Sequence, residues 1–461
     1  MFQKDKWPIT PAKQDLPPTF QRESVQAILN CVAAGDSCAV IGIGSVGKSN
    51  LLRFLLRDDV RQAYLGDEAA GYLLVYVDGN KLLKPTLWGL VELALHQIGL
   101  ALAQREVEPA VLKTIDDLHR QAARRKTRPL ALRCLDRALN VVLRQLGLRL
   151  VLLLDEFDEL ARTMPPRGFA ALRALRDDHK YRLMYVVATR LELNRLRENV
   201  TEIEMFDELI SPQTFWLGLS SDEDARLNLS RLMARHKIDL PPEVIDQLLF
   251  LTGRHPGLLR EAYHAAREQP PDLGQALAGD PQVQTECRRI WLSLAADEQQ
   301  VLVTLANGAA FQPQQAGALA GLRRKGLVSG RSESEISLFS PLFGAYLKQQ
   351  QPVAGARIYA DLQRRTLWLD GREVKGFTRL EYRLIAYLAQ KQGQICSRDE
   401  LAAHLYPGEM ALDSAGIADT RLDSIVKRVR QRIEPDLQEP RYLLTARGHG
   451  FQLLADLGEQ S

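Results

Sequence analysis

The sequence predicts a multidomain chain of α/β and α architecture: a P-loop-type parallel sheet with a helical lid, a winged helix, and a C-terminal winged helix-turn-helix. Three observations carry this. The apolar run Ser37-Cys38-Ala39-Val40-Ile41 feeds Gly42-Ile43-Gly44-Ser45-Val46-Gly47-Lys48-Ser49, which reads G-x-x-x-x-G-K-S, and Asn50 to Leu56 behind it has helical spacing. Up to about residue 217, short apolar strands alternate with helical patterns, as in a sheet with helices on its faces. Residues 358–454 hold two capping boxes, a basic amphipathic helix and two hairpins.

At 461 residues the chain exceeds what one core supports, so two to four domains are expected. The first, 1–217, is expected to bind a nucleoside triphosphate. A strand entering a glycine loop and then a helix makes an anion cradle, in which backbone N–H groups and the helix dipole favour phosphate. Gly42, Gly44, Val46, Gly47 and Asn50 belong to that cradle; Lys48 is placed on the β- and γ-phosphates and Ser49 on Mg²⁺. Tyr72 to Val77, Leu150 to Leu154 and Met184 to Ala188 are the clearest further strands. The second of these ends in Asp155-Glu156, a Walker B arrangement. Asp155 is assigned to the metal shell and Glu156 to the attacking water. Asp158 and Glu159 read as helix N-caps and Asp78 as a turn aspartate.

A purely helical pattern over 222–267 predicts a lid domain at 218–275. Helices and a two-stranded wing, Gly326 to Val328 with Ile336 to Phe339, predict a winged helix at 280–348. Glu268 to Gly274 and Gln349 to Gly355 read as linkers. No 20–50-residue internal repeat is present.

Bulk composition is that of a soluble protein, with 46% hydrophobic and 25% charged residues, and the net charge of +3 confines any basic surface to a local patch. Five scattered cysteines, without C-x-x-C or metal-ligand spacing, predict reduced thiols. The N-terminal residues lack the apolar core of a signal peptide, and no run approaches the roughly 18 apolar residues of a membrane span. The expectation is a cytoplasmic protein without a membrane partner.

The last domain, 356–456, reads as a DNA binder. Thr366 to Val374 forms a hairpin with Asp370-Gly371 at its turn. Thr378-x-x-Glu381 and Ser397-x-x-Glu400 are capping boxes that open two helices. A third helix, from about Ala418 to Ile433, has Leu422, Val426, Val429 and Ile433 as one apolar stripe. Arg421, Lys427, Arg428, Arg430 and Arg432 occupy the rest of its circumference. Tyr442 to Leu444 and Phe451 to Leu454 then flank the cationic tip Thr445-Ala446-Arg447-Gly448-His449-Gly450. Such a helix suits the major groove and such a wing the minor groove.

Four places in residues 15–348, one of them the winged-helix segment after the lid, resemble the STAND branch of AAA-type P-loop ATPases, relatives of the origin-recognition ATPases. Beyond the phosphate loop, Phe20-Gln21-Arg22-Glu23 is similar to the segment that lies near the adenine in that family, with Gln21 where glycine is usual. The resemblance brings Arg22 to the nucleotide; an ordinary solvated pair with Glu23 at a helix start is the alternative. Thr189-Arg190 is similar to its sensor position, which implies Arg190 at the γ-phosphate; a strand cap or a pair with Glu192 is the alternative. Gly253-Arg254-His255-Pro256 is similar to the Gly-x-x-Pro lid turn, which implies Pro256 over the nucleotide, while the His255 side chain reads as a turn residue without a ligand.

The C-terminal segment resembles the OmpR/PhoB-type winged-helix effector domain through Thr378 to Leu384, Ile417 to Arg430 and Tyr442 to Phe451. That resemblance implies DNA contacts by Arg421, Ser424, Lys427 and Arg428, phosphate contacts by Arg430 and Thr445, and minor-groove entry by Arg447. It also implies RNA polymerase as a partner of the loop Tyr406 to Ile417. Thr420-Arg421 inverts the family order, and Ile425 stands where a polar residue is common.

The expected function is a nucleotide-switched, sequence-specific transcription regulator that binds ATP or ADP with Mg²⁺, hydrolyses ATP slowly, and contacts double-stranded promoter DNA. An unidentified signal ligand or protein and a homo-oligomer complete the partner set. The rival is a DNA-loading or remodelling ATPase that oligomerises on DNA.

Overall fold

The computed structural model describes residues 16–453 apart from 83, 126–127, 198, 268–271, 307–314, 331–335, 350–357, 362–365, 370–371, 375, 392–393, 407–414, 435–439, 441 and 447–449. Two compact units result, Met1–Gln349 and Gln350–Ser461. The boundary falls at the start of the expected second linker.

In the first unit, β1 (Cys38–Ile41), β2 (Tyr72–Asp78), β3 (Arg149–Asp155), β4 (Leu183–Thr189) and β5 (Thr214–Trp216) pair in parallel in the order β2-β3-β4-β1-β5. Both faces are covered, which is why β3 and β4 read as unbroken apolar runs. Val151 and Leu153 of β3 enter one core with α1 (Arg22–Ala33), α2 (Lys48–Phe54) and α3 (Asp58–Leu65). Leu150, Leu152 and Leu154 enter the other. There they meet α4 (Leu87–Gln104), α5 (Pro109–Arg125), α6 (Arg128–Asn140), α7 (Asp158–Thr163), α8 (Pro166–Asp178) and α9 (Glu204–Ile210). The strand that ends in Asp155 is not the neighbour of β1, because β4 lies between them. Arg190, just past β4, therefore stands between the phosphate loop and Asp155-Glu156.

The lid is α10 (Asp222–His236), α11 (Pro242–Thr252) and α12 (Pro256–Ala266). It is followed by α13 (Leu273–Gly279), α14 (Pro281–Leu292), α15 (Ala296–Ala306) and α16 (Ala316–Arg324). The wing β6 (Val328–Ser329) and β7 (Ser337–Leu338) and then α17 (Pro341–Gln349) close the unit. Lid and winged helix share the α1–α2 core, through residues such as Leu258, Ile290, Leu302 and Phe343. The stretch read as a first linker ends inside α13: Asp272 Oδ1 accepts from Gln275 N at 2.9 Å, and Leu273 and Leu277, one turn apart, are buried. Lys325 and Glu298 are both fully buried, with Lys325 Nζ donating to the two carboxylate oxygens at 2.7 and 2.6 Å.

The second unit starts with an antiparallel sheet, order β10-β9-β8, of β8 (Ile358–Asp361), β9 (Thr366–Leu369) and β10 (Arg372–Val374). Then come α18 (Arg379–Gln390), α19 (Arg398–Leu405), α20 (Ala415–Ile433) and the hairpin β11 (Leu443–Ala446) and β12 (Gly450–Leu453). Both expected capping boxes form, Thr378 with Glu381 and Ser397 with Glu400. Leu422, Val426, Val429 and Ile433 are buried, and so is Ile425, which is why that position carries an apolar side chain.

Candidate functional site

The phosphate loop, the Asp155-Glu156 tip of β3 and Arg190 meet at the carboxyl ends of adjacent parallel strands, where open α/β sheets hold ligands. Above them lies a cleft of about 960 Å³. Of the expected residues, Gly44, Gly47, Lys48, Ser49, Asn50, Glu156, Arg190 and Pro256 line it. Gly42 and Val46 are buried within the loop and do not line the cleft; a Cβ on Gly42 would come within 2.8 Å of Val46. Arg22 is exposed beside Tyr64, and Asp155 is buried behind the lining.

Ser45 and Gly47 take positive φ, 55° and 108°, so the loop alternates hands in the manner of an anion nest. Lys48 is 6% exposed, and its Nζ donates to the carbonyls of Gly42 at 2.7 Å and Ile43 at 3.3 Å. Burial lowers its pKa, opposed by the charges of Asp158, Glu156 and Asp155. An ammonium has three donors, so one remains for a phosphate oxygen.

Asp155 accepts from Tyr76 OH at Oδ2 (2.5 Å) and from Glu156 N at Oδ1 (3.0 Å). Burial, and then the charge of Asp155, raise the Tyr76 phenol far above its usual range, so it remains a donor. Each Asp155 oxygen keeps a free lone pair. Mg²⁺ is held by one or two carboxylates with substrate phosphates and waters, so Asp155 and Ser49 fit it without a full protein cage. Among the described residues no group of three or more His, Cys, Asp or Glu forms such a cage.

Glu156 stands in the left-handed region at φ 48°, and its Oε2 accepts from Arg190 Nη2 at 3.1 Å. Asp158 does not cap α7. Its Oδ1 accepts from the Arg190 backbone N–H at 3.0 Å, because β4 brings that group to it, and Oδ2 is buried without a partner. Past Arg190 the same segment reaches the winged helix. Glu192 faces Arg324 at 3.9 Å, and Arg195 pairs with Asp297 and lies 3.7 Å from Glu298.

Sequence reasoning missed the far wall of the cleft: Arg231 and Arg235 of α10, Arg260 of α12 and Arg289 of α14. With Lys48 and Arg190 they bring six cations to the lining, where Glu156 is the one carboxylate; Arg260 and Arg289 also pair with Glu261 and Glu286 beside it. Sequence reasoning also missed Tyr76 and His255. His255, read as a turn residue, is fully buried and meets the Gly44 carbonyl at 3.0 Å. Its place just before Pro256 at the first turn of a helix was the available signal. Gln21, in place of glycine, is left-handed at φ 50°, which is the conformation glycine supplies there.

In the second unit Arg421, Ser424, Lys427 and Arg428 lie on the exposed side of α20. Arg428 Nε donates to Glu381 Oε1 at 2.9 Å, and Arg432 Nε lies 3.6 Å from Oε2. Burial would raise the Glu381 carboxyl, but the Thr378 N–H and the two guanidiniums outweigh it and hold it below the ordinary range. Arg430 donates to the Leu443 carbonyl (2.7 Å from Nη2) and to Thr445 Oγ1 (2.7 Å), clamping the hairpin to α20. Arg447 lies outside the described residues.

The first unit is thus a P-loop α/β fold with lid and winged helix, and the second a winged helix-turn-helix. Residues 371–453 match the family described as "Transcriptional regulatory protein, C terminal", which makes this segment a DNA-binding regulator domain. The chain is 35% identical over 96 residues to Protein PetR of Rhodobacter capsulatus, a match that spans 21% of this chain and 40% of that protein. Among solved structures, the Walker-type ATPase of Pyrococcus abyssi is 16% identical with a TM-score of 0.49, over 71% of this chain and 96% of that one. The ORC1 protein of Aeropyrum pernix in complex with DNA is 16% identical with a TM-score of 0.37, over 75% of this chain and 96% of its own. No helix among the described residues is long and apolar enough to cross a membrane.

Proposed function

We propose that this chain is a nucleotide-switched, sequence-specific transcription regulator. ATP occupies the cleft, with Lys48 and the loop N–H groups on its phosphates. Mg²⁺, held by Ser49 and Asp155, supplies charge neutralisation at the phosphates. Glu156 orients the attacking water, hydrolysis is slow and resets the switch, and α20 with the β11–β12 hairpin binds promoter DNA. RNA polymerase, a signal ligand or protein, and further copies of the chain are the remaining partners of this reading.

The observation that carries it is the position of Arg190. It pairs with Glu156 beside the phosphate loop, and five residues later Arg195 pairs with the winged helix. A γ-phosphate competes with Glu156 for Arg190, so its presence or loss gives two states with different contacts. The test is titration of labelled promoter DNA into the full chain with ATP or ADP saturating, and Lys48→Ala as the control without nucleotide. A roughly 5- to 150-fold difference in DNA affinity is the expected size of such coupling. Equal affinities in the two states refute the switch, and equal affinities with DNA-stimulated hydrolysis and filaments identify a DNA-loading ATPase instead.

A further inference from the structure

His255 precedes α12 and is fully buried, with both ring nitrogens engaged. Nδ1 accepts from Leu258 N at 3.1 Å and so caps the helix, while Nε2 lies 3.0 Å from the Gly44 carbonyl oxygen. A ring that accepts at Nδ1 and faces a carbonyl at Nε2 carries its proton on Nε2. One neutral imidazole therefore ties the lid to the phosphate loop. The junction is tight on every side. A Cβ on Gly257 would collide with Glu286 and Ser45, and one on Gly44 would come within 2.9 Å of the Arg289 carbonyl. The Phe339 ring stands 6.3 Å from the imidazole.

The Gly44 carbonyl and the Ser45 N–H belong to one planar trans peptide, so they point in opposite directions. Drawing the carbonyl down onto the buried imidazole turns the N–H to the other side, and Gly44 and Ser45 both line the cleft. We propose that His255 is a positioning residue for phosphate recognition, which presets the Ser45 N–H toward the phosphates of a bound nucleoside di- or triphosphate and makes that setting depend on the seating of the lid. This rests on the reading of the cleft as a nucleotide site.

Two variants of the full chain separate the two hydrogen bonds. His255→Asn keeps a cap acceptor but is too short to reach Gly44; His255→Gln places an amide donor at the longer reach but caps poorly. ADP affinity should fall about five- to tenfold in the Asn variant, because the Ser45 N–H is left in place but no longer preset and the loss is that of an ordinary hydrogen bond, and recover in the Gln variant. Thermal midpoints should run the other way, Asn above Gln. In nucleotide-free protein, amide exchange of the loop 42–47 should be faster in the Asn variant than in the wild type. The proposal is overturned if affinity and thermal midpoint fall in the same order, or if loop exchange is unchanged in the Asn variant. A wild-type chain that binds ADP no better than Lys48→Ala removes the nucleotide reading itself, and this proposal with it. Wild-type binding with an unaffected Asn variant removes only the role of His255.

Discussion

Glu156→Gln should move nucleotide binding and turnover in opposite directions. The Glu156–Arg190 pair spans 3.1 Å with side chains 24% and 46% exposed. A pair so open to water is worth at most about 1 kcal/mol, a factor of roughly five. The amide no longer holds Arg190 and no longer repels a triphosphate, so ATP affinity should stay level or rise by up to about fivefold. Asp155 keeps its bonds from Tyr76 and from the backbone of residue 156, so the metal position survives. Turnover should drop by about 10²–10⁴, the usual contribution of a positioned general base. Equilibrium titration with a fluorescent ATP analogue and phosphate release measured in the same buffer read the two quantities. Hydrolysis within tenfold of wild type would place water activation elsewhere, and Asp158, with its unpartnered Oδ2, is the next carboxylate. ATP affinity more than tenfold weaker would mean that Glu156 supports the loop, and the argument from Arg190 would fall.

Three further outcomes follow from single contacts. Lys325→Met strands Glu298 at zero exposure, with only the Ala295 N–H and the distant Arg195 guanidinium left, and should cost about 3 kcal/mol in denaturant unfolding; Glu298→Leu with Lys325→Met should restore most of it, and a double variant as unstable as the single one refutes this. Burial lowers the His255 pKa to about 4 from 6.5, so the folded state resists protonation that the unfolded chain accepts; stability should be full above pH 6.5 and fall toward pH 4 by about 3 kcal/mol in all, and the difference between wild type and His255→Gln across that window isolates this group from the nearby Lys48 and Arg260 charges. Residues 350–461, which have their own core, should bind duplex DNA with a steep salt dependence; Lys427→Ala, on the exposed side of α20, should lower the log–log slope by about 0.9, whereas Arg430→Ala should loosen the hairpin seen by thermal unfolding, and a Lys427 variant with an unchanged slope would remove that residue from the phosphate contacts.

What the sequence disclosed follows from how local each signal is. The phosphate loop, the β3 carboxylates and both capping boxes are set by residues within a few positions of one another, and each appears where its spacing places it. The strands β2, β3 and β4 were legible because burial on both faces leaves unbroken apolar runs. In contrast, β5 is three half-buried residues, too short for any period, and it exists because β1 offers an open edge. The Asp272 cap and its two leucines gave α13, but proline and glycine beside them suggested a linker. Side-chain partners across the fold were the least accessible. Tyr76 and Asp155 are 79 residues apart, and His255 and Gly44 are 211 apart, so no window holds both members of either pair. The same holds for Arg430, whose basic character suggested a phosphate partner while the fold supplies the Leu443 carbonyl and Thr445. Charge on a helix states that a partner is needed but not which one. Among the long-range pairs of the first unit, one joins His255 to the phosphate loop and several join the segment after Arg190 to the winged helix. Those after Arg190 are partly exposed and weak, whereas Glu298–Lys325 inside the winged helix is fully buried. In the proposed switch, a change that breaks the weak ties would free the segment after Arg190 to exchange partners, while the winged helix stays seated on the apolar core it shares with the lid, α1 and α2.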